Sequence, residues 1–172
     1  MKTPRFLLLC ITALSLSGAS TLHAADSAPA PAPTSAAPQL DFGDFKSSTL
    51  TEKAWHALGE KDYDSVLGYT QKCIDMFKDK AVEMQKSLTA APDTSEKEKV
   101  FANWALNDVG TCYFIQAKAL EEQGKSKDAL TAYQFLADNL SYSECWDTKG
   151  WFWSPAGAAK ERVAALQFDS IK

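Results

Sequence analysis

The chain predicts an all-α fold: a helix–turn–helix stack of about five helices in residues 41–172, closed by a final capping helix. Three observations carry this. Apolar residues recur at three- and four-residue steps throughout the region, the spacing of one helical face. Helix-start signatures stand ahead of the apolar stretches. From Asp41 onward only two prolines occur, Pro92 and Pro155, and both fall where a helix is expected to begin. Neither strand alternation nor a hairpin signal is read there, so no sheet is expected in residues 45–172.

The first helix is expected to start near Thr49, where Thr49-x-x-Glu52 forms a capping-box pattern. Leu50, Ala54, Ala57 and Leu58 then share a face. The chain turns at Gly59-Glu60-Lys61, and Asp62 can cap a second helix. Its apolar side is Val66, Tyr69, Cys73, Phe77, Val82 and Met84, running to about residue 88. Ala91-Pro92-Asp93-Thr94 is the break. Ser95-x-x-Glu98 offers another capping box and opens a long third helix through Phe101, Trp104, Ala105, Val109, Cys112, Tyr113 and Leu120. Gly124 ends it, in the position where a left-handed residue stops a helix. Ser126 is expected to cap the fourth, with Ala129, Leu130, Tyr133 and Leu136 inward. A loop spans roughly 141–153. Ser154 as N-cap and Pro155 at the first helical position start the fifth, whose inward stripe is Ala156, Ala159, Val163 and Leu166.

Ahead of the helical region lie two segments of other composition. Lys2 and Arg5 precede an apolar run from Phe6 through Leu16, and small residues lead to Leu22-His23-Ala24. A basic start, a short apolar core and a small residue at the cut spell a signal peptide, residues 1–24. The run is too short to span a bilayer. Residue 9, before Cys10, is leucine rather than a small residue, which argues against lipid attachment. The expected location is periplasmic or secreted. Residues 25–40 are rich in Pro, Ala and Ser and are expected to form a disordered linker with polyproline character.

Composition excludes several function classes. The full chain has a formal charge of −4. Loss of residues 1–24 removes Lys2, Arg5 and no acid, leaving 16 bases against 22 acids and a charge of −6. Such a chain has no electrostatic footprint for nucleic acid and no basic patch for anionic lipid. The remaining chain is long enough for one domain with a core, and it has no second apolar segment of membrane-spanning length. His56 is the only histidine beyond residue 24, and one histidine with dispersed cysteines cannot assemble a zinc site. Phosphate-loop, calcium-loop and hydrolase motifs are absent from the sequence, so no catalytic residue, metal or cofactor is expected. The acidic pairs Asp62/Asp64, Glu96/Glu98 and Glu121/Glu122 sit at helix starts or polar faces, where the helix dipole or water accounts for them. Asn107-Asp108 interrupts apolar surroundings near Trp104 and reads as a buried capping or bridging pair.

Two segments look alike: residues 54–69, AWHALGEKDYDSVLGY, and residues 117–133, AKALEEQGKSKDALTAY. Each runs from small and apolar residues through a tight turn into a second helix. This resembles the tetratricopeptide repeat. Ala117 takes the family's small position, Gly124 its turn glycine, Ala129 the small residue of the second helix and Tyr133 the following aromatic. In the first segment Lys61 replaces the turn glycine and Val66 the alanine. The turns lie 63 residues apart, whereas contiguous repeats recur at about 34, so the repeats are divergent with elongated helices. A generic five-helix bundle is the alternative. The resemblance implies a groove for a protein or peptide partner.

Three of the five tryptophans, Trp146, Trp151 and Trp153, fall within eight residues, in Cys145-Trp-Asp-Thr-Lys-Gly-Trp-Phe-Trp153. Exposed rings anchor partners or stack on sugars. The same segment can instead fold back to plug the end of the helix stack; these three are the candidate binding residues. The segment is similar to one in exported bacterial proteins labelled glucanase precursors, and that resemblance implies a glycan ligand or weak β-glucan hydrolysis as the alternative to protein binding.

Beyond residue 24 the cysteines are Cys73, Cys112 and Cys145, an odd number in a compartment where disulfides persist. Antiparallel helices turning near residue 92 put Cys73 and Cys112 at similar heights, while the returning fourth helix brings Cys145 to the same end. A loop cysteine satisfies disulfide geometry more readily than two helical ones. The expected pairing is Cys112–Cys145, with Cys73 buried and free.

Overall fold

The computed structural model describes residues 39–170. The expected signal peptide, and all of the linker but Gln39 and Leu40, lie outside the described residues. Six helices pack against one another beside a two-stranded hairpin: α1 Ser47–Gly59, α2 Tyr63–Ser87, α3 Lys97–Phe101, α4 Trp104–Glu122, α5 Ser126–Asn139, β1 Cys145–Asp147, β2 Trp151–Trp153 and α6 Pro155–Asp169. Helix α4 is the hub and touches every other helix and β1. None of these helices is long and apolar enough to cross a membrane.

The absence of sheet expected for residues 45–172 is wrong. β1 and β2 pair antiparallel, Cys145 opposite Trp153 and Asp147 opposite Trp151. The reason lies in the turn. Asp147 accepts a hydrogen bond from the Lys149 amide at 2.7 Å, the Gly150 amide donates to the Asp147 carbonyl at 2.9 Å, and Gly150 takes φ +106°. An aspartate ending one strand and a glycine closing a three-residue loop between aromatic β-formers is a hairpin signal, and it stands in the residues expected to be loop.

The long third helix is two helices. The break falls at Ala102-Asn103, where Asn103 Nδ2 donates to Lys99 O at 2.9 Å and Asn107 Nδ2, from inside α4, reaches back seven residues to Val100 O at 2.8 Å. Neither Thr49 nor Ser95 caps. α1 begins two residues before Thr49, and Glu96 precedes α3. Asp62 does cap α2, accepting from the Ser65 amide at 3.2 Å, and Ser154 caps α6, accepting from the Gly157 amide at 3.2 Å.

The turns after α1 and α4 have one geometry. The Asp62 amide reaches back to Ala57 O and the Lys61 amide to Leu58 O; the Lys125 amide reaches Leu120 O and the Gly124 amide Glu121 O. Lys61 and Gly124 occupy the left-handed position, with φ +59° and +74°. Both are Schellman turns, one with glycine and one without.

Small residues let the helices approach. Ala105, Ala117, Ala129, Ala156 and Ala159 are fully buried in one cluster with Leu106, Val109, Leu136 and Leu140. A second cluster holds Ala54, Ala57, Leu58, Val66, Ile115 and Ala119. α6 docks through Ala156 and Ala159 and through an ion pair of Arg162 with Glu121, to which the Tyr133 hydroxyl also donates.

Candidate functional site

At the N-terminal end of α4 the packing opens into a cleft of about 880 Å³. Four segments build it. α1 presents Ser48, Thr51, Glu52 and Trp55; α3 presents Phe101; α4 presents Trp104, Asn107, Asp108 and Thr111; the hairpin region presents Glu144 through Thr148 and Trp153. The α1 contributors are spaced three and four apart, as are Trp104, Asp108 and Thr111 on α4, so each set lies on one helical face.

Asn107 fixes the geometry. Its amide donates to Val100 O, and its Oδ1 accepts from the Glu144 amide at 3.0 Å. One buried side chain thus ties the end of α3 to the start of the hairpin, the bridging role its apolar surroundings suggested. Its neighbour Gly110 lets the chain before the hairpin approach: a Cβ there would stand 2.6 Å from both Cβ and Oγ of Ser143. Asp108 accepts from the Ser47 hydroxyl of α1 at 2.5 Å. Burial pushes the Asp108 carboxyl above its ordinary range, against the opposing pull of that hydroxyl. Burial raises Glu144 too.

The three candidate tryptophans separate. Trp153 is packed, with its ring centroid 5.1 Å from Phe114 and 6.4 Å from Trp55, while one part of it lines the cleft. Trp146 is 36 % exposed and stands on the cleft beside Phe101 and Phe152. Trp151 lies outside the cleft, half exposed near Lys149. The segment therefore packs Trp153 against the middles of α1 and α4 and leaves ring surface of Trp146 and Trp151 open. Trp55 and Trp104 join the site from other helices; Trp104 is 43 % exposed and braced edge-on by Phe77 at 5.6 Å. Sequence reasoning missed both as site residues, along with Glu52, Asp108 and Glu144. The available signal was the repeated i, i+3, i+4, i+7 spacing of polar and aromatic residues in two different helices.

Cys73, Cys112 and Cys145 are free thiols in this structure. Cys112 is fully buried against Cys73 and lies 3.2 Å from the Thr51 hydroxyl, and burial holds its pKa well above the thiol range. Cys145, on the cleft wall, sits beside Thr111 and Trp153, and burial raises it as well. Among the described residues no group of three His, Cys, Asp or Glu could hold a metal ion.

The arrangement offers a ligand flat apolar faces, carboxylates and hydroxyls in one concave site, the usual makeup of a recognition pocket. Comparison with protein-family models, curated proteins and solved structures finds no match.

Proposed function

We propose that this is an exported, non-enzymatic helical-repeat protein that binds a segment of a protein or peptide partner in the cell envelope, in the cleft between α1, α4 and the hairpin. The observation that carries the reading is the cleft's aromatic wall. Trp55, Trp104, Trp146 and Trp153 converge on it from four elements. Trp104 and Trp146 are exposed, and leaving rings of this size in water forfeits burial worth roughly 2 kcal/mol each when complete, so the pair is expected at an interface rather than on an idle surface.

The tetratricopeptide likeness supports the reading through the two Schellman turns and the buried alanines at helix crossings. The basic-then-apolar N-terminus supports export with cleavage near Ala24, and N-terminal sequencing of protein recovered from the periplasm and from the medium tests it.

A glycan is the alternative ligand, with weak β-glucan hydrolysis as its enzymatic form. The observation favouring it is the presence of Asp108 and Glu144, both raised by burial, beside the tryptophans. Panning a random peptide display library in parallel with a glycan array and β-glucan turnover assays separates the two. Peptide selection that disappears in Trp153→Ala supports the first reading. Glycan binding or sustained β-glucan turnover with the same dependence replaces it.

A further inference from the structure

Building on the reading of the cleft as a peptide site, we infer that the partner segment inserts a cation, a lysine or arginine side chain, between the tryptophans. The charge balance of the lining is one-sided. Glu52, Asp108, Glu144 and Asp147 line the cleft, and among the described residues no lysine, arginine or histidine lines it, Lys97 standing at its edge over the Trp146 ring. Among the described residues none of the four has an ion pair, as is also true of Asp64, Asp79 and Asp138, but these four share one concave wall. Asp41, Asp44, Glu60, Glu83, Glu96, Glu121 and Glu122 each have a basic partner within 4 Å, and none of the four cleft acids does.

Two of them are held at a cost. Asp108 and Glu144 are half-buried in surroundings that disfavour their charged forms, and the Ser47 hydroxyl is a neutral partner that offsets only part of this for Asp108. An incoming cation would supply the missing countercharge and strengthen in the partly dehydrated site.

The rings suit the same group. Lys97 Nζ already lies 4.2 Å from the centroid of Trp146, so one ring of the wall accepts an ammonium group in the free protein. Tryptophan is the best aromatic partner for a cation. A neutral apolar side chain would use the rings and leave four carboxylates unpaired. An acidic peptide would meet like charge. A sugar would use rings and acids but would leave the net negative field unanswered.

The experiment uses the protein lacking residues 1–24 and a random dodecapeptide display library. Selected peptides are synthesised and their affinities measured at low and physiological salt. Each lysine or arginine is then replaced in turn by norleucine or citrulline. Enrichment of lysine or arginine is expected, with one basic position whose neutral replacement weakens binding roughly tenfold. Asp108→Asn and Glu144→Gln are each expected to weaken it by about fivefold or more. Glu161→Gln, an exposed acid on α6 outside the cleft, controls for general attraction to an acidic protein and is expected to change affinity less than about twofold.

Circular dichroism and urea titration verify that each variant folds. Cleft-dependent peptides without a required cation overturn this inference and leave the peptide reading standing. Equal weakening by Glu161→Gln also overturns it, because charge would then act without a site. The absence of any cleft-dependent peptide overturns both.

Discussion

The two ends of helix α4 are built on opposite plans. At its C-terminal end, Glu121 to Lys125, local backbone hydrogen bonds and one left-handed glycine close the helix, and α5 folds back over buried alanines. At its N-terminal end the chain is irregular. A five-residue helix, a two-residue break and a short hairpin meet there, joined by the side chain of Asn107. The first end satisfies itself. The second leaves tryptophan faces in water and two carboxyls in surroundings that resist their charge. This contrast is what supports the proposal that the cleft at the N-terminal end binds a ligand.

Variants can break each plan separately. Asn107→Ala is expected to have the largest effect, a loss of about 1–3 kcal/mol in urea unfolding, because it strands the Glu144 amide, while Val100 O keeps the Asn103 amide. A loss well under about 1 kcal/mol would mean that water replaces the bridge without cost. Gly110→Ala comes next. The intrusion on Ser143 is expected to cost about 1–2 kcal/mol after the helix gain from alanine is subtracted, with the loss accompanied by weaker ligand binding as the hairpin base shifts.

The two Schellman turns sharpen the comparison at the regular level. Lys61 holds a left-handed conformation that strains a side-chain-bearing residue, whereas Gly124 does not. Lys61→Gly is expected to stabilise by about 1 kcal/mol and Gly124→Ala to destabilise by a similar amount. Thermal midpoints moving in opposite directions would verify that the turns are equivalent; movement in the same direction would show that they are not.

The smallest expected effect is a pH dependence. Asp108 and Glu144 titrate above their ordinary values in the folded state. The folded chain therefore binds protons more readily, and the stability this contributes is complete below the ordinary carboxylate range. It is lost as pH rises through the raised folded values. Asp108→Asn and Glu144→Gln are each expected to flatten the fall in stability above that range without removing it. A fall unchanged in the double variant would place its source elsewhere.

The legibility of the sequence follows the same division. The Asp62 and Ser154 caps, the stop at Gly124, the break near Pro92 and the alanine crossings were all readable, because each depends on residues a few positions apart. At the N-terminal end of α4 the outcome depends on contacts between distant segments. Nothing local says that Asn107 will reach Val100 and Glu144, so the helix break at Ala102-Asn103 was missed. Trp55 read as an ordinary helical residue because its cleft partners lie about 50 or more residues away on α4 and the hairpin. The hairpin is the exception. Asp147 to Gly150 carried a local signal, overridden by the helical pattern on either side.

The most direct test of the account compares two tryptophans of one strand. Trp153 lines the cleft, and Trp151, two residues earlier, lies outside it. Equilibrium binding of a display-selected peptide is measured for Trp153→Ala and Trp151→Ala, with folding of each verified by circular dichroism. Roughly tenfold or greater weakening is expected for Trp153→Ala and essentially wild-type affinity for Trp151→Ala. Equal losses for both, or loss for Trp151→Ala alone, would contradict that expectation.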